Sequence, residues 1–333
     1  MSEKTHKSQE NIPLGVAFIV CAVFAMSFAD AMIKYVSSTI PLWQLFVVRS
    51  LMVIAALTAF LIFKSRSEAV HPSAWSFLRG LLLTGMYIAI YGTVPVLSLP
   101  VIAASLYTAP LFITLLSALL LNEPVGPRRW AGIAVGFAGV LVILRPASEG
   151  FTAFALVPVA AAFFYALAAI ITRSKCRAEA PIALAMALNF SLLAVGLLAT
   201  TAIAVFQPIS AASPFLLGEW IAMGPREWGI VSLLASLMLV ISIGLAKAYQ
   251  SAPSSVIATF DYSYLIFAAF WSMVIFSDPP DTLTIAGIVL IAAAGFLVIG
   301  RSMPLAAKSR AHLSHKKTET DPNQYPPPPR LRP

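Results

Sequence analysis

The chain is short of charge. Only 11% of its 333 residues are Asp, Glu, Lys or Arg, against 59% hydrophobic residues, and mean hydropathy is +0.87. A soluble protein carries about 25% charged residues, and a compact domain must leave much of its chain facing water. This shortage excludes both a soluble enzyme and a disordered chain; the solvent is a bilayer. Cysteine is scarce too. Cys21 lies in an apolar run and Cys176 in a basic loop, so the pair builds no disulfide framework and both read as free thiols. Histidine is absent from every apolar run: His6, His71, His312 and His315 fall in tails or a loop, which leaves no histidine metal site or acid–base relay. There is no G-x-S-x-G, no H-E-x-x-H and no phosphate-binding loop. Catalysis, a metal and a cofactor are all unsupported.

What is present is a series of long apolar runs. A membrane-spanning helix needs about 20 mostly apolar residues, and long runs, unlike alternating decamers, exclude a barrel. Ten spans are predicted: 13–36, 41–63, 75–93, 99–121, 129–145, 152–172, 181–206, 228–249, 254–276 and 281–300. The basic residues test that count through the positive-inside rule. With the N-terminus in the cytoplasm, sixteen of the 22 Lys and Arg fall in cytoplasmic segments, and only Arg145 and Arg226 fall outside. Lys34, Arg49, Arg79 and Lys247 lie within or at the ends of spans. Both termini are therefore expected inside. The formal charge of +8 follows membrane topology and does not mark one nucleic-acid-binding face. Residues 1–12 form a polar cytoplasmic segment. The first apolar run is too long for a signal peptide, and the basic, proline-rich tail 301–333 is expected to be disordered against anionic lipid.

The chain also repeats itself. At an offset of 153, Trp75 meets Trp228, Ser98 meets Ser251 and Pro100 meets Pro253; at 155, Pro124 meets Pro279 and Ala131-Gly-Ile133 meets Ala286-Gly-Ile288. Each half, 13–145 and 152–300, then holds five spans. An odd number of spans turns the second half over, so the repeat is inverted. The expected fold class is an all-α membrane protein of ten transmembrane helices in two inverted five-helix repeats. Arg49 in the second span, Leu121-Asn-Glu-Pro124 closing the fourth, and Trp130-Ala-Gly132 with Gly136 and Gly139 in the fifth add a family signature. Asp278-Pro279 and Gly287 occupy the corresponding places in the second half. In these motifs the sequence resembles the drug/metabolite transporter superfamily, in its ten-helix EamA-type branch. The resemblance implies a basket of helices around a central cavity, with substrate moved by alternating access across an inner membrane. It also implies a small organic substrate: an amino acid, a nucleoside-like metabolite or a vitamin such as riboflavin. With no ATP site, a solute gradient or ions would drive it, and proton coupling is one route. Leu265 stands opposite Pro110, so two equivalent half-sites are not assumed.

Ionisable residues inside spans cost at least about 2.5–3.5 kcal/mol to insert and are functional candidates for that reason. Asp30 and Asp261 are the two acids well within spans. Asp30 and Lys34 share a helix face, four residues apart, with Arg49 expected at similar depth, within about 10 Å of the outer surface. Lys247 and Asp261 flank the turn at Pro253 near the cytoplasmic side. These clusters read either as gates, substrate contacts or proton carriers, or as neutralising pairs that fix helix register. Their placement near opposite faces also argues against an intramembrane aspartyl protease, whose carboxylates must meet. Lys34 and Arg79 sit near span ends, where long basic side chains snorkel to the interface. Asn189, mid-span in the seventh helix, is expected to bond a neighbouring helix or contact substrate. Tyr87, Tyr91 and Tyr107 are the aromatic cavity candidates, with Tyr165, Phe260, Tyr262, Tyr264 and Trp271 adding rings suited to flat or cationic solutes. Gly132-x-x-x-Gly136 reads as a close helix contact, within the chain or between two copies in a homodimer. A scaffold or sensor that keeps this fold and moves nothing is the other functional reading.

Overall fold

The structure, a computed structural model, describes residues 11–36, 39–63, 72–93, 106, 108–123, 125–144, 156–206, 214–276 and 282–299. They form twelve helices: α1 (Ile12–Val36), α2 (Leu42–Phe63), α3 (Ala74–Thr93), α4 (Ala109–Leu120), α5 (Pro127–Leu144), α6 (Leu156–Ser174), α7 (Pro181–Phe206), α8 (Pro214–Leu217), α9 (Pro225–Ser251), α10 (Ser254–Asp261), α11 (Ser263–Phe276) and α12 (Thr282–Ile299). Among the described residues there is no strand. Seven passages are long and apolar enough to cross a membrane, α10 and α11 counting as one, and α4 and α12 contain shorter apolar stretches. With α5, these make the ten passages of an all-α membrane protein.

Two local features were not predicted. The short α8 interrupts the link between the seventh and eighth spans. The ninth span is broken at Tyr262, where the Ser263 hydroxyl donates to the Phe260 carbonyl (2.7 Å). A side-chain donor of that kind competes with the helix for its own carbonyls. The predicted fourth span, 99–121, lies partly outside the described residues; its described helix begins at Ala109.

Several helix pairs occur in twos, related by exchanging the halves. α1 packs on α9 as α3 does on α6; α3 packs on α7 as α2 does on α9; α1 meets α11 as α4 meets α6. α2–α7 and α5–α12 each join a helix to its own counterpart. This is the pairing of a five-plus-five repeat.

In lipid, burying apolar surface between helices gains little over burying it in acyl chains, so association rests on close packing of small residues. The interior bears this out: Ala22, Ala161, Ala166, Ala187, Ala248 and Ala258 are completely buried, while Phe63 and Phe206 at helix ends are 88% and 80% exposed. A close backbone approach joins α5 to α12, where a Cβ on Gly139 would lie 2.8 Å from the Gly287 carbonyl oxygen and 3.0 Å from Ile291. Backbone cannot yield as a side chain can. Gly139→Leu is therefore expected to part these helices at a cost of about 1–3 kcal/mol or more, seen as a lower melting temperature in detergent. Gly229→Ala, where nothing lies within 4 Å, should leave it unchanged.

Candidate functional site

Two helices enter the middle of the bundle from one end and bring opposite charges together. Asp30 sits six residues before the end of α1, and Arg49 seven residues after the start of α2. Both line a small cavity of about 10 Å³ with Met26, Tyr87, Tyr91 and Met238. The Asp30 carboxylate accepts a hydrogen bond from the Tyr264 hydroxyl at 2.7 Å, which ties α1 to α11 just past the break at Tyr262. Tyr87 and Tyr91 stack with ring centroids 6.2 Å apart and 9° between planes, and Phe46 meets both edge-on. Arg49 is 4% exposed, its guanidinium 5.6 Å from the Phe46 ring centroid. Its Nε and Nη2 are buried without a hydrogen-bond acceptor.

The expected neutralising pairs are not formed. Among the described residues no ion pair joins Asp30 to Arg49 or Asp261 to Lys247. Asp30 turns instead to a tyrosine across the helix break. Asp261 ends α10, 6% exposed, beside Tyr165 of α6 and Tyr249 of α9, whose hydroxyls are buried. Their rings meet edge to face at 6.4 Å. Lys247 is partly exposed on α9. Arg79 does not snorkel: it is 3% exposed, and its Nε donates to Thr172 Oγ1 at 2.6 Å, because this face of α3 packs on α6. The Asn189 amide bonds the Ala185 carbonyl of its own helix (2.8 Å) rather than a neighbour, and its Oδ1 is buried and unpartnered. Gly132 is buried, and a Cβ on Gly136 would strike the Tyr262 ring at 2.8 Å. Tyr107 and the side chain of Lys34 lie outside the described residues. A larger hollow of about 340 Å³ opens beneath α8. It is lined by Leu42, Trp43, Ile88, Ala199, Ile203 and Leu216 among others, carries no titratable group, and has nothing with which to orient a polar solute.

Among the described residues, polar networks tie the helices together at both ends. At the end bearing Arg129, Arg173, Lys175 and Arg177, Asn122 adopts a left-handed φ of 50°, which turns Glu123 back over α4. There its carboxylate accepts from Ser117 Oγ (2.5 Å), from Arg173 Nε of α6 (2.8 Å) and from the Ser254 backbone N–H opening α10 (3.2 Å). Close by, Arg129 donates to Ser255 Oγ at 3.1 Å. Glu179 of the α6–α7 turn accepts from Ser73 Oγ at 2.5 Å and from Ser76 Oγ. Gln250 of α9 donates to the carbonyls of Cys176 (2.6 Å) and Glu179 (2.8 Å) in the same turn. Cys176 is wholly buried there; burial, then the neighbouring Glu179 carboxylate, pushes its thiol up to about 11, so thiolate is about one part in ten thousand at neutral pH. At the opposite end Gln44 exchanges two hydrogen bonds with the backbone of Ile221 (2.9 and 3.0 Å), and Trp43 Nε1 donates to the Leu216 carbonyl (2.7 Å). Arg226 donates to the Tyr35 hydroxyl and lies over its ring.

Residues 13–145, the first five-helix half, match the EamA-like transporter family, and relatives carrying transporter names align over most of the chain. The chain is similar to EamA-like transporters. The chain is 28% identical to an S-adenosylmethionine uptake transporter of Rickettsia felis, over 90% of this chain and 96% of that one. It is 27% identical to the pseudopaline exporter of Pseudomonas aeruginosa, over 84% and 94%. A riboflavin transporter of Vibrio cholerae is 26% identical over 58% of this chain and 60% of its own. A solved structure described only as a crystal structure of a protein superposes with a TM-score of 0.69 at 17% identity, covering 86% and 96%; it shares the fold.

The chain holds several polar residues that sequence reasoning did not nominate. Glu123 stood inside the Leu121-Asn-Glu-Pro124 motif, where an Asn before an acid at a helix end is the signature of a left-handed turn. Tyr264 was one of many aromatic residues, and nothing in its spacing singled it out. Arg173 and Glu179 read as ordinary loop charges.

Proposed function

We propose that this chain is a secondary transporter of a cell inner membrane that carries a small organic metabolite by alternating access. The observation that carries the reading is the Asp30–Arg49–Tyr87–Tyr91 cavity, a charged site within the membrane, closed by separate polar networks at the two ends. A cavity of about 10 Å³ has room for about one water, so this conformation is occluded and a substrate enters only when one end parts. Positive-inside topology puts the Glu123 end in the cytoplasm, with both termini. The tyrosines give a flat solute stacking surfaces, and Asp30 and Arg49 give it polar anchors. Names borne by relatives, an S-adenosylmethionine or riboflavin uptake transporter and a pseudopaline exporter, agree with a metabolite as cargo. In our reading Asp261, beside two buried tyrosine hydroxyls, exchanges a proton as the cytoplasmic end opens and closes. A membrane carboxyl without a cationic partner is suited to that work.

Purified protein in proteoliposomes, offered labelled amino acids, nucleosides, S-adenosylmethionine and riboflavin, tests this. Wild type should accumulate at least one solute, and Asp30→Asn, inserted at equal density, should lose at least about 90% of the flux. An imposed proton gradient should accelerate the wild type and not Asp261→Asn. Equal flux in wild type and Asp30→Asn would remove Asp30 from the site, and a folded protein that moves none of the panel would favour a scaffold or sensor.

A further inference from the structure

The hollow of about 340 Å³ beneath α8 takes no part in the proposed transport, and its walls say what fills it. They come from Trp43 of α2, Ile88 and Gly92 of α3, Ala202 and Ile203 of α7, and Leu216 of α8, among others. The two polar groups at its roof, the Trp43 indole N–H and the Leu216 carbonyl, already bond each other. A buried water needs about two to four polar partners, and these apolar walls do not supply them. Left empty, the space would forfeit dispersion contacts along every wall. An apolar occupant meets both objections.

The surroundings supply one. Gly92 and Ala202 are exposed, and a Cβ on Gly92 would meet nothing within 4 Å, so the hollow opens sideways where α3 packs on α7. The α7 surface beside it faces lipid, with Leu198 and Val205 exposed. Trp220 donates from Nε1 to Thr200 Oγ1 at 3.1 Å, and with the exposed Trp228 it marks the level of the membrane interface. From Thr93, the end of α3, down to Ile88 is about 8 Å, so the hollow runs from that interface into hydrocarbon. A group the size of a water takes about 30 Å³, which leaves room for about eleven methylenes. We infer that this hollow seats one phospholipid acyl chain, drawn from the outer leaflet in the orientation proposed above. Phe215 of α8 meets the Tyr91 ring edge-on at 6.1 Å, and Tyr91 lines the Asp30–Arg49 cavity. A chain lodged under α8 therefore backs the outer closure of that cavity. The inference requires that the protein span a membrane and does not require that it carry a solute.

Photolabelling tests it. The full chain is reconstituted in phosphatidylethanolamine–phosphatidylglycerol vesicles that contain phosphatidylglycerol with a diazirine midway along one acyl chain, and labelled residues are read by mass spectrometry. Label on Ile88–Gly92 and Ala199–Ile203 should exceed label on the lipid-facing Leu233 of α9 at least about tenfold. Gly92→Phe places a ring in the hollow and should cut the excess by the same factor; Ala202→Phe repeats the test from the opposite wall. Gly229→Phe, at a helical glycine equally open but outside the hollow, should leave it unchanged. Adding phosphatidylglycerol to delipidated protein should raise the melting temperature of wild type by mass action and not that of Gly92→Phe. Label spread evenly over the lipid-facing helices, the same in wild type and in both hollow variants, would mean surrounding lipid only and would overturn the inference. Displacement of the label by an equal amount of free palmitate would overturn it in favour of a free fatty acid. Wild type without label in the hollow, together with hollow variants that melt well below it, would show a space filled by the chain itself. No arm reads flux, so failure here leaves the transport reading standing.

Discussion

Arg49→Gln is expected to abolish transport without weakening the protein. The guanidinium lies buried in the bundle, with Nε and Nη2 unpartnered and the Phe46 ring 5.6 Å away. Removing a charge from water costs several kcal/mol, and an incompletely bonded one recovers little of it. Gln has similar reach and no charge, so the substituted protein should melt at the same temperature as wild type or above it, while flux falls at least about 100-fold. Asp30→Ala should behave differently. It strips Arg49 of the nearby charge and takes the Asp30 acceptor from the Tyr264 hydroxyl, at a cost of about 1–3 kcal/mol. Melting curves and uptake on the same preparations decide the matter. If Arg49→Gln melts well below wild type, the residue is a structural strut and its loss of flux says nothing about cargo.

Glu123→Ala should have the largest effect of any change away from the cavity. One carboxylate holds α4, α6 and the start of α10 together through Ser117, Arg173 and the Ser254 N–H. Truncation leaves the Arg173 guanidinium, 7% exposed, without that carboxylate, at a cost of about 3 kcal/mol or more. The closed end should also spend more of its time open. Cys176 provides the readout, since it is completely buried in the adjoining turn, three residues after Arg173, and its thiol is pushed up to about 11. In a Cys21→Ser background, a membrane-impermeant maleimide applied from the Glu123 side should label Cys176 at least about ten times faster in Glu123→Ala than in wild type, an opening equilibrium shifted by about 1.4 kcal/mol. Glu123→Gln, which still accepts from Ser117 and Arg173, should fall between. A lower melting temperature with unchanged labelling would make the network a brace and not a gate.

The sequence revealed the architecture because lipid leaves so few options. Every backbone group must be satisfied internally, so the apolar runs could only be helices, and Lys and Arg placement fixed their number. The helix pairing that relates the two halves was foreshadowed by Trp75 and Trp228, residues with a low chance of coincidence. The site was less legible. Asp30, Arg49 and Asp261 announced themselves by charge in an apolar run, and the structure lines one cavity with the first two. Their partners did not announce themselves. Charge pairing predicted Asp30 with Arg49 and Lys247 with Asp261, but a carboxylate will equally accept from a tyrosine, and which tyrosine stands nearby depends on the break at Tyr262. Arg79 was misplaced for a similar reason: a basic residue near a span end reaches water only if its helix face does, and α3 turns that face to α6. Glu123 was hidden by its position in a loop, where charge is ordinary.

The break at Tyr262 also gives the chain an optical reporter. Trp271 follows Tyr264 by seven residues on α11, and its ring packs 4.4 Å from Phe28 and 5.3 Å from Phe24 of α1. The bond from Tyr264 to Asp30 therefore holds the two helices between which this indole is clamped. A cargo that draws Asp30 away from Tyr264 shifts those rings past one another. The intensity and colour of the Trp271 emission would follow that shift, in protein whose other five tryptophans are replaced by phenylalanine, without a label being attached.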